Sequence, residues 1–145
     1  NPIVAPLLCR VMRRLADDAN TNNKLGDLGV CDGVTNVLMA QIANINVIER
    51  CLFLIGLLAT NENNRKKLGS NGICESILMA MKEHKNVSLV VVSGCRAIVS
   101  LCAHNTENRD RFLFAQGKKL VYDLSVNTSA NEQARQDAKE AMRVL

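Results

Sequence analysis

Apolar residues recur along this chain at intervals of three and four positions, the spacing that gathers side chains on one side of an α-helix. Short polar segments rich in Asn and Gly separate these stretches from one end of the chain to the other. The stretch from position 48 to 59 shows the pattern through Ile48, Cys51, Leu52, Ile55, Leu58 and Ala59. The sequence therefore predicts a chain built of helices.

Three consecutive valines at positions 90 to 92 would favour a β-strand if taken alone, because β-branched residues are enriched in strands. The residues that continue from them keep helical spacing, as Val91, Cys95, Ile98, Val99 and Cys102. Since the periodic pattern extends well beyond the valines, we predict a helix here as well.

The helical pattern also repeats as a whole, with a period in the low forties. Matching residues stand 44 positions apart, as in Cys51 and Cys95, Asn64 and Asn108, Arg65 and Arg109, and Leu68 and Phe112. A looser copy lies 43 positions upstream, where Leu25, Gly29 and Cys31 precede Leu68, Gly72 and Cys74. A period of this length with helical patterning is typical of HEAT or armadillo arrays.

Each unit is predicted to contain a short helix, a glycine, a medium helix, a polar cap and a long helix. The short helices should end near Gly29, Gly72 and Gly117, because glycine fits the left-handed position that closes a helix. The medium helices should run from about Asp32 to Ala43, Ile73 to His84 and Lys118 to Val126.

Polar residues before the helices are predicted to cap them. We expect a polar break at 20–23, and side-chain caps at Asn61 and Asn86. Capping boxes are predicted from Asn46 with Glu49 and from Ser129 with Glu132, the latter opening a closing helix that runs to Leu145.

Three helices in each period distinguish armadillo repeats from HEAT repeats, which have two, and the chain resembles the armadillo-repeat family over essentially its whole length. The resemblance implies an all-α, right-handed α-solenoid in which stacked repeats bury one continuous core. It predicts a single domain, 1–145, with a lone helix at about 1–17 and repeats at about 20–60, 61–104 and 105–145. We expect the chain to be an excerpt from a longer array.

The resemblance also implies a function, because the long third helices of armadillo arrays line a concave groove that holds extended peptides. In the importin-α type of array, each third helix offers a Trp and, four residues later, an Asn. The matching positions here are Arg10 and Arg14, Phe53 and Leu57, Ala97 and Leu101, and Glu140 and Val144. The resemblance therefore predicts a groove for a protein or peptide partner, but not one of the importin-α style.

The groove carried over in this way has a basic end and an apolar floor. Its predicted partner-binding residues are Arg10, Arg13, Arg14, Glu49, Phe53, Leu57, Ala97, Leu101 and Glu140. The arginines favour an acidic partner, as in the catenin type of array, because guanidinium groups pair well with carboxylates. As alternatives, the arginines could be a solvated helix face, and Phe53 and Leu57 could belong to the core.

A second group of basic residues falls on the short helices and the turns after them. It comprises Arg65, Lys66, Lys67, Arg109, Arg111, Lys118 and Lys119. We interpret this group as a solvated convex edge. Contact with an anionic membrane or nucleic acid is the alternative, and such contact would weaken with salt. A spacer role, or end-to-end self-association of the array, is a third hypothesis.

The composition argues against nucleic acid or a membrane as the partner, and the cysteines indicate the cellular compartment. The net charge is +4 and aromatic residues make up 3% of the chain, so neither a strongly basic surface nor a set of stacking platforms is indicated. The six cysteines form no CxxC motif and lie mostly in apolar helical patterns. Free buried cysteines are typical of a reducing compartment, so we predict a cytoplasmic or nuclear protein.

No motif for catalysis or for a cofactor is present in the sequence, since it contains no phosphate loop, HExxH or nucleotide fingerprint. Cys102 and His104 are too close in sequence to predict a catalytic pair. The cysteines recur at matching positions of the repeats, which favours packing over metal or redox roles. His84, at the end of a predicted helix, is interpreted as interacting with carbonyl groups. We therefore expect a non-enzymatic protein without cofactor or metal.

Overall fold

The chain forms three units of three helices in the computed structural model, which describes residues 10, 14, 18–127 and 129–145. The first unit contains α1 (Ala19–Asp27), α2 (Val30–Ala40) and α3 (Ile45–Leu58). The second contains α4 (Glu62–Ser70), α5 (Ile73–Glu83) and α6 (Ser88–Cys102). The third contains α7 (Thr106–Phe114), α8 (Gly117–Ser125) and α9 (Glu132–Val144). These described residues contain no strand, so the predicted all-helical fold is confirmed.

The valine run lies inside α6, as the helical spacing predicts. Val90 and Val91 are fully buried there. A weak intrinsic preference for strand is overridden because most of a helix's stability in a protein comes from packing of its apolar face.

The short first helices begin at the same position in each unit. Asp18, Asn61 and Asn105 stand just before α1, α4 and α7, and each side chain accepts a hydrogen bond from the backbone N–H three residues later. The N···O distances are 2.7, 3.0 and 2.9 Å. Such a side chain satisfies a backbone donor that has no partner within the helix. The predicted cap at Asn61 is therefore confirmed, and its equivalents share the role.

Two predicted caps in the middle of the chain are wrong. α3 begins after Asn44, whose side chain accepts from the backbone, and Asn46 lies inside the helix. α6 begins after Val87 and has no side-chain cap, so Asn86 does not cap it. Several polar residues stand close together at these boundaries, and the end of the preceding turn decides which one becomes the cap.

Two further boundaries differ from the prediction. The segment 20–23 does not break the chain but lies inside α1, because Asp18 starts the helix before it. α9 begins after Asn131, which accepts from a backbone N–H at 2.9 Å, so Ser129 is not its cap.

Each second helix follows a residue in the left-handed conformation. These residues are Gly29, Gly72 and Gln116, with φ of +80°, +75° and +65°. The prediction that Gly117 closes the third short helix is therefore wrong, although Gln116 keeps the 44-residue register with Gly72. Gly117 has a different role, because a Cβ there would lie 2.8 Å from the Phe112 carbonyl oxygen.

Changing Gln116 to glycine should raise the free energy of unfolding by up to about 1 kcal/mol. The left-handed conformation costs an L-residue roughly 1–2 kcal/mol, and the greater freedom of glycine in the unfolded chain offsets about 0.5–1 kcal/mol of the gain. Gly72→Ala is the reverse change at the equivalent position and should destabilise the protein. Urea denaturation measures both, and an unchanged or lower midpoint for Gln116→Gly would contradict the expectation.

The third helices form the centre of the array. α3 packs along α6, and α6 along α9, in the most extensive helix contacts of the described chain. A Cβ built on Gly56 would lie 3.6 Å from Ala97 Cα, so α3 and α6 approach to van der Waals contact at this point. Leu52 and Ile98 are fully buried in the same core. Each unit therefore buries its apolar face against its neighbour, as a repeat array requires.

Buried asparagines connect the first helices of successive units. Asn64 Nδ2 donates to both the backbone oxygen and Oδ1 of Asn22, each at 2.8 Å. Asn108 Nδ2 donates to the carbonyl oxygens of Arg65 at 3.1 Å and Leu101 at 3.0 Å. Asn64 and Asn108 are fully buried, so these bonds offset the cost of removing their amide N–H groups from water.

Two glycines make room for these asparagines. A Cβ on Gly26 would lie 1.6 Å from Asn64 Oδ1, and a Cβ on Gly69 would lie 1.8 Å from Asn108 Oδ1. The two glycines stand 43 residues apart, in register with the repeat. Both lie inside helices, so glycine is needed here because it has no side chain, and not because a turn requires its conformational freedom.

Candidate peptide-binding groove

The third helices α3, α6 and α9 each keep one side partly open to solvent, and we call the surface they form the third-helix groove. On α3 this side carries Glu49, Arg50, Phe53, Gly56 and Leu57, all half-buried. On α6 it carries Leu89, Val92, Arg96, Val99 and Ser100. On α9 it carries Gln133, Gln136, Asp137, Glu140 and Arg143. The predicted residues Glu49, Phe53, Leu57 and Glu140 therefore lie where a partner can reach them.

Two predicted groove residues do not lie on this surface. Ala97 and Leu101 are fully buried. Ala97 packs against Gly56 of the neighbouring helix, and the carbonyl oxygen of Leu101 accepts from Asn108. Their placement in the apolar floor is therefore corrected, because both belong to the core between the units.

The burial of Ala97 and Leu101 has a simple geometric cause. The exposed positions of α6 follow those of α3 after 43 residues, so that Phe53 corresponds to Arg96 and Leu57 to Ser100. The predicted residues Ala97 and Leu101 instead stand 44 residues after Phe53 and Leu57, the spacing that relates Cys51 to Cys95. One residue of difference turns a helix by about 100°, which is enough to move Ala97 from the surface into the core.

Arg96 and Asp137 are groove residues that the sequence-based prediction missed. Arg96 Nε donates to Asp137 Oδ2 at 3.0 Å, joining α6 to α9. They border a cavity of about 320 Å³ that is also lined by Cys95, Val99, Ser100 and Glu140. The available signal was that Arg96 is the single charged residue of α6, and a charge in an apolar helix belongs on its solvent side.

The basic end of the predicted groove lies on residues that precede the first described unit. Arg10 and Arg14 are helical and exposed. They stand 43 residues before Phe53 and Leu57, the same register that relates α3 to α6. Arg13 lies outside the described residues.

The opposite end of the groove is charge-balanced. The Glu140 carboxylate accepts from Arg143 at 2.8 Å, and Asp137 accepts from Gln133 at 2.8 Å as well as from Arg96. The Arg96 and Glu140 side chains remain more than half exposed, so their ion pairs contribute little to stability. The pairs do cancel most of the local charge, in contrast to the arginines at the other end.

Comparison with known proteins assigns this arrangement to a family. The model of the GAC ARM domain matches residues 7–136. The chain belongs to the GAC ARM domain family. The predicted all-α solenoid of armadillo-type repeats is thereby confirmed.

A solved structure is similar to this ARM domain: the designed armadillo repeat protein YIII(Dq)4CqI, with a TM-score of 0.84 and 18% identity. The alignment covers 98% of this chain and 58% of the designed protein, so the ARM domain spans little more than half the length of that array. At this identity the likeness shows the fold alone. The curated proteins include no significant match. ARM arrays generally serve as scaffolds for protein interaction.

The described cysteines of the ARM domain are buried and form no disulfide. Burial raises the pKa of the Cys74, Cys95 and Cys102 thiols to about 12, and that of Cys31 to about 11. The thiols are therefore neutral near pH 7, whereas a cysteine acts as a nucleophile or a metal ligand in its thiolate form. No cluster able to hold a metal ion occurs among the described residues. The cytoplasmic or nuclear location inferred from the cysteines stays a prediction.

The second basic group is less uniform than the predicted solvated edge. Arg65 is 9% exposed, and its guanidinium donates to the carbonyl oxygens of Ala59 at 2.9 Å and Ala103 at 2.6 Å. Its assignment to a solvated edge is therefore wrong. The side chain instead joins the ends of two third helices, since Ala59 follows α3 and Ala103 follows α6.

Other members of this basic group are paired with carboxylates. The pairs are Lys66 with Glu62 at 2.7 Å, Lys67 with Asp27 at 3.0 Å, and Arg111 with Glu107 at 2.8 Å. Arg109, Lys118 and Lys119 are exposed. This edge therefore carries less uncompensated positive charge than its sequence indicates. No helix in the described part of the chain is long and apolar enough to cross a bilayer.

His84 lies at the end of α5, as predicted, and contacts a carbonyl group. Its Nε2 is 2.6 Å from the carbonyl oxygen of Ile42, which belongs to the preceding unit. The histidine therefore links two units, which extends the predicted role of interacting with carbonyls at its own helix end.

Proposed function

We propose that this ARM domain is a non-enzymatic scaffold that binds a protein partner, as an extended peptide, in the third-helix groove. The supporting observation is the register of two pairs of residues. Exposed Arg10 and Arg14 stand 43 residues before half-buried Phe53 and Leu57, the spacing at which the exposed positions of α3 and α6 correspond. A basic pair thus precedes an apolar pair along the row of helices.

The chemistry of these two pairs defines the peptide. Guanidinium groups donate to carboxylates in charge-assisted, bidentate hydrogen bonds, so the arginines select Asp or Glu. Phe53 and Leu57 offer an apolar contact that a large aliphatic or aromatic side chain can cover. Neighbouring helix axes lie roughly 8–10 Å apart, and an extended chain rises about 3.3 Å per residue. The acidic residue and the apolar anchor should therefore be about three residues apart.

The groove residues of α6 and α9 favour hydrogen bonds to the backbone of the peptide over a second contact with a charged side chain. Arg96 uses its Nε for Asp137, and its terminal nitrogens make no other hydrogen bond within the described part of the chain. Together with the Ser100 hydroxyl, they can donate to carbonyl oxygens of the peptide. Because Arg96, Asp137, Glu140 and Arg143 balance one another, neutral peptide residues suit this end best.

A peptide library tests the proposal without a known partner. Random 12-residue peptides displayed on phage are selected against the folded domain, and we expect an acidic residue about three positions from a large apolar one. The Arg14→Glu and Leu57→Glu double variant should bind the selected peptides at least about tenfold more weakly, because it removes a charge-assisted contact and an apolar anchor. Fluorescence anisotropy with the synthetic peptides measures this change.

Lys66→Glu is the matched control, because Lys66 is exposed on α4, outside the groove. It should leave peptide affinity within about twofold, since a distant exposed charge acts weakly through salt solution. Circular dichroism should show that all variants remain helical. Selected peptides that bind the folded double variant as tightly as the natural domain would exclude the groove.

A further inference from the structure

The second helices of the last two units leave an open trench between them. α5 and α8 make few contacts, whereas α6 and α9 of the same units pack closely. Two adjoining cavities of about 540 and 670 Å³ fill the space between α5 and α8 and its continuation towards Ser129. Both cavities are lined by Lys82, Leu120 and Asp123, so they form one continuous depression. We call it the second-helix trench.

The trench has an apolar floor and apolar rims. Leu78 and Leu124 are buried beneath it, and Leu120 is half-buried along it. Met79 on one rim and Val126 on the other remain 59% and 57% exposed. Exposed apolar residues beside a depression of this volume are typical of an interaction surface, whereas single exposed apolar residues are not.

Three lysines line the same trench. Lys82, Lys85 and Lys119 are exposed, and none of them takes part in an ion pair within the described residues. The acidic lining residues are Glu75, at one end, and Asp123. The balance is a net positive charge, concentrated where Lys85, in the connection after α5, follows Lys82 near the end of that helix. A complementary ligand carries carboxylates beside an apolar surface.

The walls of the trench decide between a helix and an extended strand as the ligand. From Glu75 to Lys82 on one side and from Lys119 to Leu124 on the other, the walls are the sides of α5 and α8, whose backbone N–H and C=O groups are bonded within each helix. An extended segment would find no backbone partners there and would leave its own polar groups against the apolar floor. A helix satisfies its own backbone and can present one apolar stripe to the floor.

We infer that the second-helix trench binds an amphipathic α-helix of a partner protein, with acidic residues flanking its apolar stripe. The wall formed by α5, Ile73–Glu83, is about 16 Å long at 1.5 Å per residue, which matches roughly three turns of a bound helix. This surface shares no residue with the third-helix groove. The inference is therefore independent of the proposed peptide-binding function.

A synthetic helix is the probe for this surface. An 18-residue, terminally blocked peptide carries Leu at positions spaced by four and three along one face and Glu on both sides of that stripe. Fluorescence anisotropy should show binding to the natural domain that weakens with added salt. Met79→Glu should weaken binding about tenfold or more, because it places a carboxylate on the apolar rim. Lys82→Glu should weaken it and reduce the salt dependence.

Met39→Glu is the matched control, because Met39 is 58% exposed on α2, the second helix of the first unit, and lines neither cavity. Met39→Glu should leave the affinity for the synthetic helix unchanged. Leu57→Glu, which changes the third-helix groove, should leave the affinity for this helix unchanged as well. The inference is overturned if the probe does not bind, if Met79→Glu binds it as well as Met39→Glu does, or if a probe with Lys in place of Glu binds equally. Binding of phosphatidylserine vesicles that depends on Lys82, without binding of the helix, would also overturn it.

Discussion

Replacing Gly69 with alanine should lower the free energy of unfolding by about 3 kcal/mol or more, the sum of an overpacking cost and the loss of buried hydrogen bonds. The added methyl group would lie 1.8 Å from Asn108 Oδ1 and 2.7 Å from its Cγ, distances at which the amide must move. Moving it breaks the bonds from Asn108 to Arg65 and Leu101 and leaves buried polar groups without partners. Urea denaturation of the helical signal measures the change.

Gly33→Ala is the matched control, because Gly33 is also a helix residue but has no atom within 4 Å of an added Cβ. Alanine should raise the free energy of unfolding there by about 0.5–1 kcal/mol, through the lower entropy of the unfolded chain. The two substitutions should therefore have opposite signs. Equal effects would show that intrinsic helix propensity, and not the space for Asn108, explains Gly69.

The sequence predicts the architecture well because the residues that recur from unit to unit are those that pack in the core. Cys51 and Cys95, Asn64 and Asn108, and Leu68 and Phe112 match between units, and all six are buried. Each unit stacks on a similar unit, so the same position meets similar neighbours and keeps the same or a similar residue. Period, helix count and the regular first-helix caps follow from this property.

The groove is less predictable for the same reason. Its residues are the ones that differ between units, as Phe53 and Arg96 do at corresponding positions. The 44-residue spacing of Cys51 and Cys95 differs by one from the 43-residue spacing of the exposed positions. This one-residue error turned the predicted face of α6 and placed Ala97 and Leu101 on the surface. The exposed charge of Arg96 is a better local guide, because a single charged residue identifies the solvent side of an apolar helix.

Conformational details that depend on one neighbour also lie beyond the sequence pattern. Gln116 takes the left-handed position although glycine follows it, because Gly117 is needed next to the Phe112 carbonyl group. Gly26 and Gly69 have low helix propensity and would be expected to destabilise their helices. Their role becomes clear only from the buried asparagines that they accommodate. In these cases the local preference is overridden by a contact with a residue distant in sequence or by a close backbone approach.

The Asn-Arg pair common to the second and third units illustrates how one motif acquires two roles. Asn64 and Asn108 occupy equivalent buried sites, whereas Arg65 is buried and Arg109 is exposed. The Arg65 guanidinium is held by the carbonyl oxygens of Ala59 and Ala103. The Arg109 side chain makes no hydrogen bond or ion pair within the described part of the chain. The motif alone therefore does not indicate whether its arginine is structural.

Arg65→Met should lower the free energy of unfolding by about 2–4 kcal/mol, because hydrogen bonds to a charged group contribute more than neutral ones and the carbonyl oxygens lose their donors. Methionine keeps much of the apolar stem, so the change reports mainly on the guanidinium. Arg109→Met in the third unit should change stability by no more than about 0.5 kcal/mol, as expected for an exposed residue. Urea denaturation of both variants compares the same substitution in the same motif. Equal losses would mean that the bridge from Arg65 to Ala59 and Ala103 does not hold the units together.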